Sequence, residues 1–233
     1  MDELISLYRE RLKIVDGHLK EYNLNVPPEK KATNPFFITI PDDYGSYSNR
    51  IMIFGQETNG WCNECGNNSE YSNSLDKSIE IYRKFYLNGG INSYSGPFWN
   101  EFKRIRKAIQ EHKNTVFLWN NVNKIGRIGK GNIKEINEIQ FRYFQLIRDE
   151  IELLKPNVIV FLTGSDYDYF IENNFGKFKQ TEISDSIWEI SFNDDRLKSI
   201  KSFKTYHPNA LYFKGKNRTV IPNLINEIKN ACI

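Results

Sequence analysis

The chain has 233 residues, of which 39% are hydrophobic, 14% aromatic and 26% charged. That is enough to bury roughly 70–75% of the unfolded surface in one core without a disulfide or metal staple. The formal charge of +3 neither requires nor excludes a polyanionic partner, so only the local placement of charge is informative. No apolar run approaches the ~20 residues of a membrane span. Charge begins at Asp2, so neither a span nor a secretory signal is expected. Three cysteines, two of them as Cys62 and Cys65, do not make a disulfide framework, and a reduced, cytoplasmic setting is expected.

In chain order, Leu4, Leu7, Tyr8, Leu12, Val15 and Leu19 recur at helical spacing and predict an amphipathic first helix. Pro27 and Pro28 end it, and a polar loop leads to the apolar stretch Phe36–Ile40. Four short β-branched or aromatic runs follow: Ile51–Phe54, Val116–Trp119, Val158–Leu162 and the weaker Ser202–Tyr206. Helical patterns lie near 75–87, 98–112, 133–154, 166–174 and 218–230. Continuous apolar strands alternating with helices argue for an α/β fold with a parallel sheet covered on both faces. Ile187–Phe192 reads as an edge strand or as part of a hairpin with Ser202–Tyr206. Residues 1–233 read as a single domain, with 1–45 as an N-terminal helical extension packed on it.

In an open parallel sheet, ligands bind beyond the carboxyl ends of the strands. The residues there are Gly55-Gln56-Glu57-Thr58-Asn59-Gly60-Trp61, Asn120-Asn121, Thr163-Gly164-Ser165 and His207-Pro208-Asn209-Ala210-Leu211. A carboxylate, an amide and a histidine therefore converge on one rim from different strands. Cys62 and Cys65 supply two of about four ligands that a zinc or iron–sulfur site needs, and Cys232 is the only other cysteine. No metal site is assigned, and the pair reads as loop-ordering thiols. Gly126, Gly129 and Gly131, interleaved with Lys124, Arg127 and Lys130, lack the Lys-Ser/Thr ending of a phosphate loop. They fit either a solvated basic loop or contact with a nucleic-acid backbone. Lys214, Lys216 and Arg218 add cations to the same rim.

The strand-end residues also carry a resemblance. Gly55-Gln56-Glu57 resembles the first motif of the uracil-DNA glycosylase superfamily, of which Gly-Gln-Asp-Pro-Tyr is one variant. His207-Pro208-Asn209-Ala210-Leu211 resembles its last motif, His-Pro-Ser-Pro-Leu. Phe117-Leu118-Trp119-Asn120 is similar to the strand that delivers a base-reading Asn, and Pro97-Phe98-Trp99 to a Phe-Trp helix start. The pieces occur in the family's order over roughly residues 50 to 225. The resemblance implies a three-layer α/β/α fold with a central, mainly parallel four-stranded sheet. It implies a monomeric DNA-repair hydrolase that cleaves the N-glycosidic bond of uracil or a modified base flipped out of single- or double-stranded DNA, with no metal or organic cofactor.

On that reading Glu57 orients water and offsets the cationic sugar, and His207 donates to the base oxygen where negative charge develops. Gln56, Asn59 and Asn120 contact the base, Phe98 stacks on it, and Leu211 fills the vacated stack. Lys124, Arg127, Lys130, Lys214 and Arg218 meet the DNA backbone. The sequence departs from the family pattern at Glu57, where Asp is usual, at Thr58 for Pro, and at Asn59. Asn59 stands where a Tyr often blocks the C5 side of the pyrimidine, so a 5-substituted base is an alternative to uracil. The same fold could instead serve as a non-catalytic module that recognises a modified base or a partner protein, or as a hydrolase of small nucleosides.

Overall fold

The computed structural model describes residues 1–58, 60–61, 75–111, 113–129 and 131–233. Six strands form one mixed sheet: β1 (Asn49–Gly55), β2 (Thr115–Asn121), β3 (Val158–Leu162), β4 (Phe178–Ser184), β5 (Ile187–Phe192) and β6 (Lys201–Thr205). Their order is β2-β1-β3-β6-β5-β4. The pairs β1/β2, β1/β3 and β3/β6 are parallel, whereas β6/β5 and β5/β4 are antiparallel. Ile51, Met52, Ile53 and Phe54 are all buried, as are Val158 through Leu162. Strands covered on both faces need apolar side chains at every position rather than at alternate ones.

The sheet is thus wider than the expected four strands. Ile187–Phe192 does pair with the run before His207, but the outermost strand β4 was not expected. Its sequence, Phe-Lys-Gln-Thr-Glu-Ile-Ser, is largely exposed, and an edge strand facing water carries no apolar run to mark it.

The helices around the sheet are α1 (Asp2–Leu24), α2 (Leu75–Tyr82), α3 (Pro97–Gln110), α4 (Lys134–Tyr143), α5 (Ile147–Leu154), α6 (Asp168–Phe175), α7 (Pro208–Phe213) and α8 (Asn217–Ala231). The pattern over 133–154 is two helices, broken at Phe144–Leu146. The first helix packs on α4 and α5, and α3 packs on α7 and α8. Leu4, Tyr8, Leu12, Val15 and Leu19 of α1 are buried in the same core as Phe36, Phe37 and Ile38. Among the described residues no helix is long and apolar enough to cross a membrane.

One buried carboxylate ties these layers together. Glu150 of α5 is fully buried. It accepts from the Tyr8 hydroxyl at 2.8 Å, from Lys124 Nζ at 2.8 Å and from Asn120 Nδ2 at 2.8 Å. A charge without water is tolerated only when its lone pairs are filled in this way.

Candidate functional site

A cavity of about 740 Å³ opens beyond the carboxyl ends of the parallel strands. Gly55 ends β1 directly opposite Asn121 of β2. A Cβ on Gly55 would stand 2.6 Å from Asn121 Oδ1 and 3.1 Å from the Phe98 ring, so only glycine lets these groups close over the strand end. The next residue, Gln56, donates from Nε2 to the Thr163 carbonyl at 2.8 Å, which joins the loop after β1 to the loop after β3. That anchored turn aims Glu57 into the cavity.

Burial pushes the Glu57 carboxyl above its usual value of 4.5. The Tyr167 hydroxyl, the Gly131 N–H and the charge of Arg127 pull it partly back. Tyr167 is itself held by Asn132 Nδ2 at 3.0 Å. Its phenol is pushed up by burial first and by the Glu57 charge second. Glu57 Oε2 is buried and has no hydrogen-bond partner among the described residues. An acceptor held this way has lost its water without gaining a donor from the described residues.

On the other side stands His207, the residue preceding α7. Its Nδ1 accepts the Asn209 N–H at 3.2 Å, so in the neutral ring the proton sits on Nε2 and that nitrogen is the donor. Burial lowers its pKa below the usual 6.5, which keeps it a neutral donor at neutral pH. Phe98, in the first turn of α3, lies nearly parallel to the imidazole, with centroids 5.7 Å apart and planes 14° apart.

The amide facing this space is Asn121, not Asn120. Asn120 is fully buried. Its Nδ2 is spent on Glu150 and its Oδ1 accepts the Asn121 N–H at 2.8 Å. Side chains alternate across a strand, so the two neighbours point to opposite faces of the sheet. Asn121 lines the cavity, is 2% exposed, and has no partner for Nδ2 among the described residues.

Two of the expected DNA contacts are also internal. Lys124 is 1% exposed, ion-paired with Glu150 and 5.1 Å above the Phe36 ring. Desolvation lowers its pKa while Glu150 raises it, and it cannot reach a phosphate. Leu211 is fully buried where α7 packs on α3, so it is no wedge. The exposed apolar residues of that helix are Tyr212 and Phe213, the latter 85% exposed.

Arg127 is half-buried beside Glu57, and Lys214 and Arg218 are exposed. Lys214 Nζ sits 3.7 Å from the Tyr206 ring centroid. Asn59, Lys130, Cys62 and Cys65 lie outside the described residues. Glu57, His207, Gln56 and Phe98 all line the cavity. Sequence reasoning missed Asn121 as the facing amide, Tyr167 as the partner of Glu57, and Trp119 and Phe85 as wall residues. A strict two-residue alternation back from Asn121 would have found Trp119.

No family model matches the chain, and none of the curated proteins matches it.

Proposed function

We propose that the protein is a DNA glycosylase that hydrolyses the N-glycosidic bond of a base flipped out of DNA. The observation that carries this reading is the Glu57 carboxylate, with its buried, unpartnered Oε2, in one cavity with His207 and Asn121. The four parallel strands in the order β2-β1-β3-β6 support the resemblance to the uracil-DNA glycosylase superfamily, because they bring the matching motifs to one rim.

Glu57 holds a water against C1′ of the sugar. The bond from C1′ to the base nitrogen breaks and its electron pair leaves with the base. The water oxygen bonds to C1′, and the proton it loses passes through Glu57 to the departing base. The products are an abasic sugar and the free base. The Nε2–H of His207 donates to the base oxygen on which negative charge accumulates. Asn121, with a donor and an acceptor on one plane, reads the base edge, and Phe98 replaces part of the lost stacking. Phe213, exposed on the helix that His207 begins, takes the part of the wedge. Arg127, Lys214 and Arg218 hold the backbone.

The test is incubation with oligonucleotides carrying different altered bases, scored for alkali-labile abasic sites. Cleavage by the wild type that is lost in Glu57→Gln supports the reading. Binding of an altered base without cleavage would make the protein a recognition module, and release of bases from free nucleosides alone would make it a nucleoside hydrolase.

A further inference from the structure

The hydrogen bonds around Glu57 close into a ring that takes in three loops. Gln56, the residue before it, accepts on its carbonyl from the Asn123 N–H at 3.0 Å and donates from Nε2 to the Thr163 carbonyl at 2.8 Å. The first bond ties the turn that carries Glu57 to the loop after β2, and the second ties it to the loop after β3, where Tyr167 stands. Side chains then join those two loops to each other. Asn123, 1% exposed, donates from Nδ2 to Asn132 Oδ1 at 2.7 Å and to Asn137 Oδ1 at 3.2 Å. Asn132 donates from Nδ2 to the Tyr167 oxygen at 3.0 Å. The Tyr167 hydroxyl hydrogen-bonds the Glu57 carboxyl.

The direction of this chain is fixed. A side-chain amide can be turned about to exchange its donor and acceptor ends, but a backbone N–H cannot. Asn123 Oδ1 faces the Ile125 N–H at 3.4 Å, which it shares with Gln140 Oε1 at 2.9 Å, so its NH2 must face Asn132. Asn132 then receives on oxygen and gives from nitrogen, filling a lone pair of the Tyr167 hydroxyl. A phenol has one proton, and here it is left for Glu57. Tyr167 also stacks on Phe170, with centroids 5.0 Å and planes 27° apart, which holds the ring in place. Every bond thus gives its proton toward one carboxylate, and successive bonds in such a chain polarise one another.

We infer that Tyr167, oriented by Asn132 and Asn123, is a positioning residue that aims the Glu57 side chain and keeps it an acceptor. Its part in catalysis rests on the reading of the cleft as base-excising; the polarity of the chain does not. Arg127 also acts on Glu57, Asp166 acts on Tyr167, and His207 lines the same cleft. The variants below leave all three in place.

The first measurement needs no substrate. In protein with isotope-labelled glutamate, the Glu57 carboxyl is assigned by its loss in Glu57→Gln and followed by NMR against pH. Tyr167→Phe removes the hydroxyl and keeps the ring. The Glu57 titration midpoint should then move to higher pH, because the lost bond favoured the charged form. Asn132→Ala, which frees the hydroxyl to turn away, should move it less far in the same direction. In single-turnover excision the acid limb should follow both shifts. Tyr167→Phe should also lower the rate at neutral pH about tenfold or more, the worth of one hydrogen bond to a charged group, with DNA affinity unchanged. An unmoved Glu57 midpoint in Tyr167→Phe overturns the inference, whatever happens to the thermal midpoint, since the hydroxyl is then structural only. A displaced midpoint in a protein that cleaves no altered base keeps Tyr167 as the residue that holds Glu57 and removes base excision. Cleavage by Tyr167→Phe with the wild-type rate and pH profile keeps base excision and removes Tyr167 from it.

Discussion

Glu57 is a carboxylate that burial has made reluctant to ionise, and this sets a pH signature. Its folded pKa lies above 4.5, so the carboxylate needed to hold water is lost as pH falls through that raised value. The single-turnover rate should fall on the acid side with a midpoint above the ordinary carboxylate range. Glu57→Gln should remove that limb and lower the rate by roughly 10²–10⁴, the usual worth of a positioned acid–base group. An unchanged acid limb in the variant would assign it to another residue. His207→Ala should cost about 10²–10³, as loss of one donor to a developing anion does. The neighbouring amides should part company. Asn121→Ala should change base selection while the thermal midpoint stays nearly fixed. Asn120→Ala should cost about 1–3 kcal/mol of stability, since it leaves Glu150 Oε2 unsatisfied in the core. Equal loss of stability in both would mean that Asn121 is also structural. Glu57 and His207 could be singled out in the sequence because each lies just beyond the end of a run that reads as a strand. The choice between Asn120 and Asn121 was not legible there. Two identical residues in succession leave composition blind to a one-residue register, and only the partner across 30 positions, Glu150, decides it.

At the scale of elements, α7 carries the divergence between what the sequence shows and how it packs. Leu211, Tyr212 and Phe213 are three apolar residues in a row, and nothing local says which turns inward. Packing on α3 buries Leu211 and leaves Phe213 85% exposed. Phe213→Ala should therefore leave the denaturation midpoint within about 0.5 kcal/mol, as surface changes do, while weakening excision from duplex DNA more than from single strands, where no stack must be filled. Leu211→Ala should cost about 2–5 kcal/mol through the cavity it leaves. If Phe213→Ala treats duplex and single strand alike, the wedge lies elsewhere. The parallel strands were legible because they are apolar at nearly every position. β4 was not, because an edge strand half in water reads as a polar loop until β5 is known to lie beside it. The stripe of α1 was legible at 3.6-residue spacing, but its Tyr8–Glu150 hydrogen bond, 142 residues apart, could not be read from any window.

For the whole molecule the question is how many phosphates the rim can neutralise. The net charge of +3 misleads, because several cations are already engaged. Lys124 pairs with Glu150 in the core, Lys204 with Asp168, Lys216 with Asp185, and Arg196 with Asp194 and Glu152. Of the cations expected to meet DNA, Lys214 and Arg218 are exposed, while Arg127 is half-buried and its charge already acts on Glu57. At roughly 0.9 per phosphate, the two exposed cations give a slope of about −2 in a plot of log affinity against log salt for duplex DNA. Lys214→Ala and Arg218→Ala should each reduce that slope by about 0.9. Lys124 provides the contrast. Removing it alone would strand a buried carboxylate, at about 3–5 kcal/mol, so the informative variant is Lys124→Met with Glu150→Gln. The new amide oxygen accepts from Asn120 while its NH2 donates to the Tyr8 oxygen, the hydroxyl proton going to the Ile38 carbonyl. A side chain that never meets solvent releases no counterion, so the slope of that double variant should equal that of the wild type. A reduced slope there would mean that the β2 loop opens on DNA and exposes the ammonium. A flat dependence in the wild type would replace DNA with a protein or small-molecule partner.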